Sequence, residues 1–186
     1  VLLNASFFVS SSPKHELEIK KSLLSVIFIS GDKSNPLDRF DFSVDVEGTI
    51  LNPADMMISG MTFTDDGNMP SKSEYPISFM IRKSKSIAPL NEDERLTLSQ
   101  RLFELYPVDY HESKSLEPRK IRIDGLFGYE IFGVGTNKEA LRSEMIYQIT
   151  LFDDDFYYVF TGICGHKFKE NAKMFRTVSR SFKTKK

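Results

Sequence analysis

The sequence predicts an α+β fold, an antiparallel β-sheet packed between α-helices with an extra strand-helix segment at the N-terminus, and three observations predict it. Apolar and polar residues alternate through several stretches in the middle of the chain, which is the period of a half-buried strand. Short clusters of Asp, Gly, Asn and Ser separate these stretches, and such clusters close hairpins, so that neighbouring strands run antiparallel. After Asn91, and again after Lys167, the apolar spacing changes to that of an amphipathic helix.

The elements follow in order. "SFFVS" (Ser6 to Ser10) reads as a short strand, and "SPKHELEIKKSLLSVIF" as a helix with Ser12 as N-cap, Pro13 in the first turn and Leu17, Leu24 and Ile27 on one stripe. After the break at "SGDKSNP", the stretch "RFDFSVDVEG" places Phe40, Phe42, Val44 and Val46 on one side of a strand. "MMISGMTFTDDGNMPSKSEYPISFMIRKS" holds two more strands around a polar loop. "NEDERLTLSQRLFELYP" is a helix with Asn91 as N-cap, Glu94 completing a capping box, Leu98, Leu102 and Leu105 on the expected buried face, and Pro107 as the stop.

Two hairpins come next, "RKIRIDGLFGYEIFGV" turning at Asp124 and Gly125, and "SEMIYQITLFDDDFYYVFTGIC" turning at Asp153 to Asp155. Phe168, Ala172, Phe175, Val178 and Phe182 then recur in steps of three and four, an apolar stripe on a helix over about 167–182. The two ends of the chain resemble each other at an offset of about 150 residues: Phe7 corresponds to Tyr157, His15 to His166 and Leu24 to Phe175. A period of that length would be a duplicated domain, since solenoid repeats are far shorter.

Composition bounds the function. The chain has 186 residues, of which 40% are hydrophobic and 27% charged, enough for one domain that buries roughly 70% of the surface its unfolded form exposes. Its single cysteine, Cys164, cannot form an intrachain disulfide. No apolar run reaches the roughly 20 residues of a membrane-spanning helix. The first residue is Val, from which a trimmed upstream segment is expected: a signal, a lipid anchor or a domain. A periplasmic or envelope-associated address is the corresponding guess.

From Lys167 to Lys186 eight Lys or Arg face the single Glu170, giving +7 within a chain of net charge −1 and leaving −8 for residues 1–166. Basic residues along a terminal helix read first as a solvated face that suits the helix dipole, and second as a contact surface toward an acidic partner, lipid or nucleic acid. Nucleic acid is disfavoured, because Phe168, Phe175 and Phe182 sit at core-facing positions and leave no aromatic platform for bases.

No catalytic, cofactor-binding or metal-binding residue is assigned. Cys164 and His166 are two apart, which on a strand would put both side chains on one face, but no acid is identifiable to orient the base. His15, His111, Cys164 and His166 lack zinc-site spacing. "GVGTNK" carries Lys138 where a dinucleotide loop needs its third glycine, so Gly125, Gly128, Gly133 and Gly135 read as turn and close-packing positions. Asp65, Asp66 and Asp153 to Asp155 lack the alternate spacing of a calcium loop. The "NAS" at Asn4 would accept a glycan only in a eukaryotic secretory setting.

The hairpin "IDGLFGYE" (Ile123 to Glu130), the strand end "YYVFTG" (Tyr157 to Gly162) and the helix end "FRTVSRSF" (Phe175 to Phe182) together resemble the PsbP-like superfamily, with "FDFSVDVEG" to "ISFMIRKS" a weaker match to its first strands. That superfamily includes photosystem PsbP subunits, nuclear Ran-binding release factors and small bacterial envelope proteins. The resemblance implies a sheet between helices and a non-enzymatic binding or assembly module for another protein, without cofactor. It divides the chain into an N-terminal strand-helix segment, 1–36, as an addition or the tail of a preceding copy, and a PsbP-like domain, 37–186. The competing expectations are a Cys-His hydrolase and a chaperone for a secreted polypeptide.

Overall fold

The computed structural model describes residues 36–86, 90–111 and 116–185. The expected N-terminal strand and helix, Asn4 and His15 lie outside the described residues, as does the N-terminal half of the 150-residue likeness.

A 3₁₀ turn at Pro36–Arg39 leads to β1 (Phe42–Ser43), β2 (Asn52–Met57), β3 (Gly60–Thr64) and β4 (Ile77–Lys85). The helix α1 (Glu92–Glu104) is followed by β5 (Val108–Tyr110), β6 (Arg119–Ile123), β7 (Leu126–Asn137), β8 (Arg142–Phe152) and β9 (Phe156–Cys164), and the chain closes with α2 (Phe168–Arg180) and β10 (Lys183–Thr184). Among the described residues, eight strands make one sheet in the order β2-β3-β4-β9-β8-β7-β5, with β6 also on β7, while β1 and β10 pair separately. Every pairing is antiparallel. The fold is therefore α+β with an antiparallel sheet, as the alternation and hairpin signals predicted.

Two rungs carry the main core across the sheet. One runs Met61, Ile81, Phe160, Ile149, and the next Phe63, Phe79, Gly162, Tyr147. All but Gly162 belong to the buried core cluster, and none of these rung side chains is more than 2% exposed. α2 lies on these rungs. Phe175 stacks on Phe79 at 5.5 Å between ring centroids and tilts against Tyr147 at 6.0 Å, and Phe182 meets Tyr158 and Phe160 edge-on. Gly162 permits this approach, since a Cβ there would stand 2.3 Å from the Phe175 ring. The C-terminal apolar stripe is thus buried at Phe175, Val178 and Phe182, and Phe168 and Ala172 pack on the same cluster.

α1 begins as its sequence predicts, with the Asn91 side chain accepting from the Glu94 amide at 3.0 Å and Glu94 Oε2 accepting from the Asn91 amide at 2.8 Å. Its buried face differs from expectation. Ser99 and Phe103 are buried, whereas Leu105 is 75% exposed. Phe103 clusters with Val108, Ile131 and Ile146, Gln148 donates to the Ser99 carbonyl, and Tyr106 donates to Thr161. A polar layer on the sheet meets this face: Gln148 donates to the main-chain carbonyl of Ser99 and Thr161 accepts from the Tyr106 hydroxyl, so both buried polar groups are paired.

Two strand expectations are corrected. "RFDFSVDVEG" keeps its alternating burial at Phe42 and Val44, but only Phe42 and Ser43 form a ladder, opposite Thr184 and Lys183. A two-residue partner sustains no more. The stretch expected to hold two strands is joined by a third, β2, which starts at Asn52 and tolerates Pro53 because it is an edge strand with a register shift between Pro53 and Asp55.

Candidate functional site

The β6–β7 hairpin turns on Asp124 (φ 49°) and Gly125 (φ 81°), two residues with positive φ as a type I′ turn requires. The turn is tied down from the far end of the chain: Asp124 Oδ2 accepts from the Thr184 amide at 2.8 Å and from its hydroxyl at 2.9 Å, and Lys183 lies 3.2 Å from Oδ1. These donors hold the Asp124 carboxyl below its ordinary pKa.

Because a two-residue turn is flanked by a hydrogen-bonded pair, Ile123 and Leu126 exchange main-chain bonds, as do Ile121 with Gly128 and Arg119 with Glu130. The intervening residues, Lys120 and Arg122, therefore turn their N–H and C=O away from β7. β5 occupies the same side of β7, but only at Gly135 to Asn137. Among the described residues no hydrogen bond reaches the outward main chain of β6. The opposite edge is blunted by Pro53 and a bulge, whereas β6 is regular throughout.

Behind this edge an acid is buried in the core rung. Glu130 stands opposite Ile149 with its side chain 5% exposed. Oε1 accepts from Tyr147 Oη at 2.9 Å and Arg176 Nε at 2.8 Å, and Oε2 accepts from Arg119 Nη2 at 2.8 Å. Burial would raise the Glu130 pKa, but the hydrogen bonds from Arg176 and Tyr147 and the charges of Arg176 and Arg119 outweigh it, and the net direction is down. Tyr147 is pushed far above the ordinary phenol value by its own burial and then by Glu130. Both charged oxygens are thus satisfied, and neither is poised to move a proton at neutral pH.

Over the sheet face that carries Glu130 and Ile149, and bordering this edge, lies an open cleft of about 530 Å³ lined by all of β6 with Asp124, Glu130, Ile149 and Arg180. Four cations line it against two carboxylates, both of which are already engaged. Arg119 and Lys120 are partly spent on Glu130 and Glu92. Arg122 and Arg180 are exposed and have no acidic partner among the described residues.

The thiol and imidazole weighed from the sequence do not form a catalytic pair here. β9 ends at Cys164, so the alternation that would align it with His166 stops two residues short of the histidine. Cys164 is wholly buried in the main core, and burial pushes its thiol up to about 11 although Asn171 opposes the shift. The His166 ring tilts against Tyr75 at 5.2 Å, its carbonyl accepts from Asn171, and no hydrogen bond links it to the thiol through the side chains. His111 bonds Thr136. Among the described residues no group of three His, Cys, Asp or Glu is arranged to hold a metal ion.

The glycines read as close-packing positions fit that role at Gly128, where a Cβ would meet the Thr150 carbonyl at 2.0 Å. Asp66 organises its loop by accepting from the amides of Asn68 and Lys72, which holds its carboxyl far below the ordinary range. The basic C-terminal residues divide: Lys169 and Lys173 are exposed, while Arg176, Lys183 and Lys185 pair with Glu130, Asp124 and Asp38. Glu130, Arg119 and Arg176 were missed from the sequence. The available signal was one acid inside the apolar run "GYEIFGV", a position where a carboxylate requires a cation.

No protein-family model matches the chain, and no curated protein does. Among solved structures, a crystal structure from Bacteroides thetaiotaomicron VPI-5482 aligns with a TM-score of 0.50 at 13% identity, covering 78% of this chain. The aligned region spans 45% of that protein, less than half its length. The likeness is one of fold.

Proposed function

We propose that the chain is a non-enzymatic binding or assembly module for another protein, working without a cofactor, with a PsbP-like core whose sheet is packed between its two helices. The observation that carries the reading is the β6 edge: a regular strand whose outward main chain is unpaired among the described residues, bordering an open cleft with two arginines that have no acidic partner among those residues. Such an edge is a template for another chain. The helix arrangement is argued from Ile146 and Tyr147, adjacent on β8 and so facing opposite ways, which contact the α1 cluster and Phe175 respectively. The PsbP-like assignment continues to rest on Ile123 to Glu130, Tyr157 to Gly162 and Phe175 to Phe182, which fall on the β6–β7 hairpin, β9 and α2.

A hydrolase would need Cys164 as thiolate, and the thiol is shifted in the opposite direction. A chaperone reading draws on exposed Ile50, Met56, Ile58, Met69 and Tyr75, and predicts suppression of aggregation of an unrelated unfolded protein. The test of the binding reading is a photo-crosslinking residue placed at position 122, with position 173 as control, in the source organism. One adduct of defined mass at 122 and none at 173 is expected. Equal crosslinking at both positions, or none at either, overturns the reading, as does substrate turnover abolished by Cys164→Ala.

A further inference from the structure

We infer that the β6 edge takes an extended acidic segment of its partner as an added strand, an inference that rests on the binding-module reading above and specifies its ligand. Geometry sets the extended form. The outward main chain of Lys120 and Arg122 offers two donors and two acceptors spaced for a strand, and every residue of β6 borders the cleft, so that an occupant lies along the strand.

Charge sets the acidity. A strand laid against β6 projects alternate side chains to the two faces of the sheet. On one face they meet Arg180, with Arg119 shared with Glu130, and on the other Arg122, with Lys120 shared with Glu92. Carboxylates at alternate positions would thus reach cations on either face. The two lining acids do not cancel this attraction, since Asp124 is held by Thr184 and Lys183, and Glu130 by Arg119, Arg176 and Tyr147.

The same charge argues against a second copy of the chain. Two β6 edges would bring Arg119, Lys120 and Arg122 against their counterparts, and like charges directly opposite on neighbouring strands are destabilising. The basic residues therefore oppose self-pairing while leaving the edge open to an acidic strand, so one device supplies both effects.

The experiment uses a dye-labelled, end-capped Glu-Val-Glu-Val-Glu peptide titrated with the protein and read by fluorescence anisotropy. The comparison probes are Lys-Val-Lys-Val-Lys and the acidic peptide N-methylated on alternate amides, in both phases. The acidic peptide is expected to bind, the basic one not. The R122E/R180E variant, whose two substituted side chains are exposed and unpaired among the described residues, is expected to weaken binding about tenfold or more. Methylation in one of its two phases should abolish binding, because it removes the donors facing β6.

No acidic-peptide binding overturns the inference. Binding undiminished by either methylated peptide overturns strand addition and leaves surface charge alone. Failure of the inference is distinct from failure of the binding reading: a partner crosslinked at position 122 that contacts it through a helix or a basic segment would refute the acidic strand and leave the module reading intact.

Discussion

Phe175 and Gly162 are coupled, and their coupling can be worked from the structure. The Phe175 ring is fully buried, stacked on Phe79, tilted against Tyr147, and lies where a Cβ on Gly162 would stand 2.3 Å from it. Phe175→Ala removes the ring and leaves a cavity, a change that costs about 3–5 kcal/mol. Gly162→Ala alone forces the ring aside, with an overpacking cost of about 1–3 kcal/mol. In the double variant the new methyl sits in the space the ring has vacated, so the overpacking cost disappears and part of the cavity is filled. The pair should be less destabilised than the sum of the singles by about 1–2 kcal/mol. The chain has no tryptophan, so urea unfolding followed by far-UV circular dichroism is the appropriate assay. Additivity within about 0.5 kcal/mol would refute the packing of α2 on β9 described above.

Other outcomes follow from the buried groups. Glu130 has a folded pKa below its ordinary value of 4.5, so its contribution is fully present above that value and is lost as pH falls through the folded pKa. Wild-type stability should therefore decline between about pH 5 and pH 3. Glu130→Gln should cost about 2 kcal/mol at pH 7, given that Arg119 and Arg176 can regain water, and the cost should shrink toward pH 3. A cost independent of pH, from urea titrations across that range, would refute the assignment of Glu130 as a buried carboxylate. Cys164, with its thiol pushed up to about 11 and no exposure, should resist a disulfide reagent at pH 8 in the native protein and react fully in denaturant. Rapid stoichiometric reaction of the folded chain would contradict its burial.

Features with local causes were legible in the sequence. The Asn91–Glu94 box, the Asp124–Gly125 turn and the Phe175, Val178, Phe182 stripe each depend on residues a few positions apart, and each stands where it was predicted. The Leu98–Leu102–Leu105 face failed because the polar residues that meet the buried side of α1, Gln148 and Thr161, come from strands about 50 residues later. The brevity of β1 was set by β10 at the other end of the chain. The candidate site was the least legible. An edge strand is defined by what does not pair with it, and Glu130 draws its cations from 11 and 46 residues away, separations that no periodicity encodes.

The central claim, that β6 presents an open edge to a partner, is tested most directly by residue-resolved hydrogen exchange. The amides of Ile121 and Ile123, bonded to β7, should be protected, while those of Lys120 and Arg122 exchange freely and become protected when the acidic pentapeptide is added. Protection of Lys120 and Arg122 in the free protein, or no change on adding the peptide, would contradict the account.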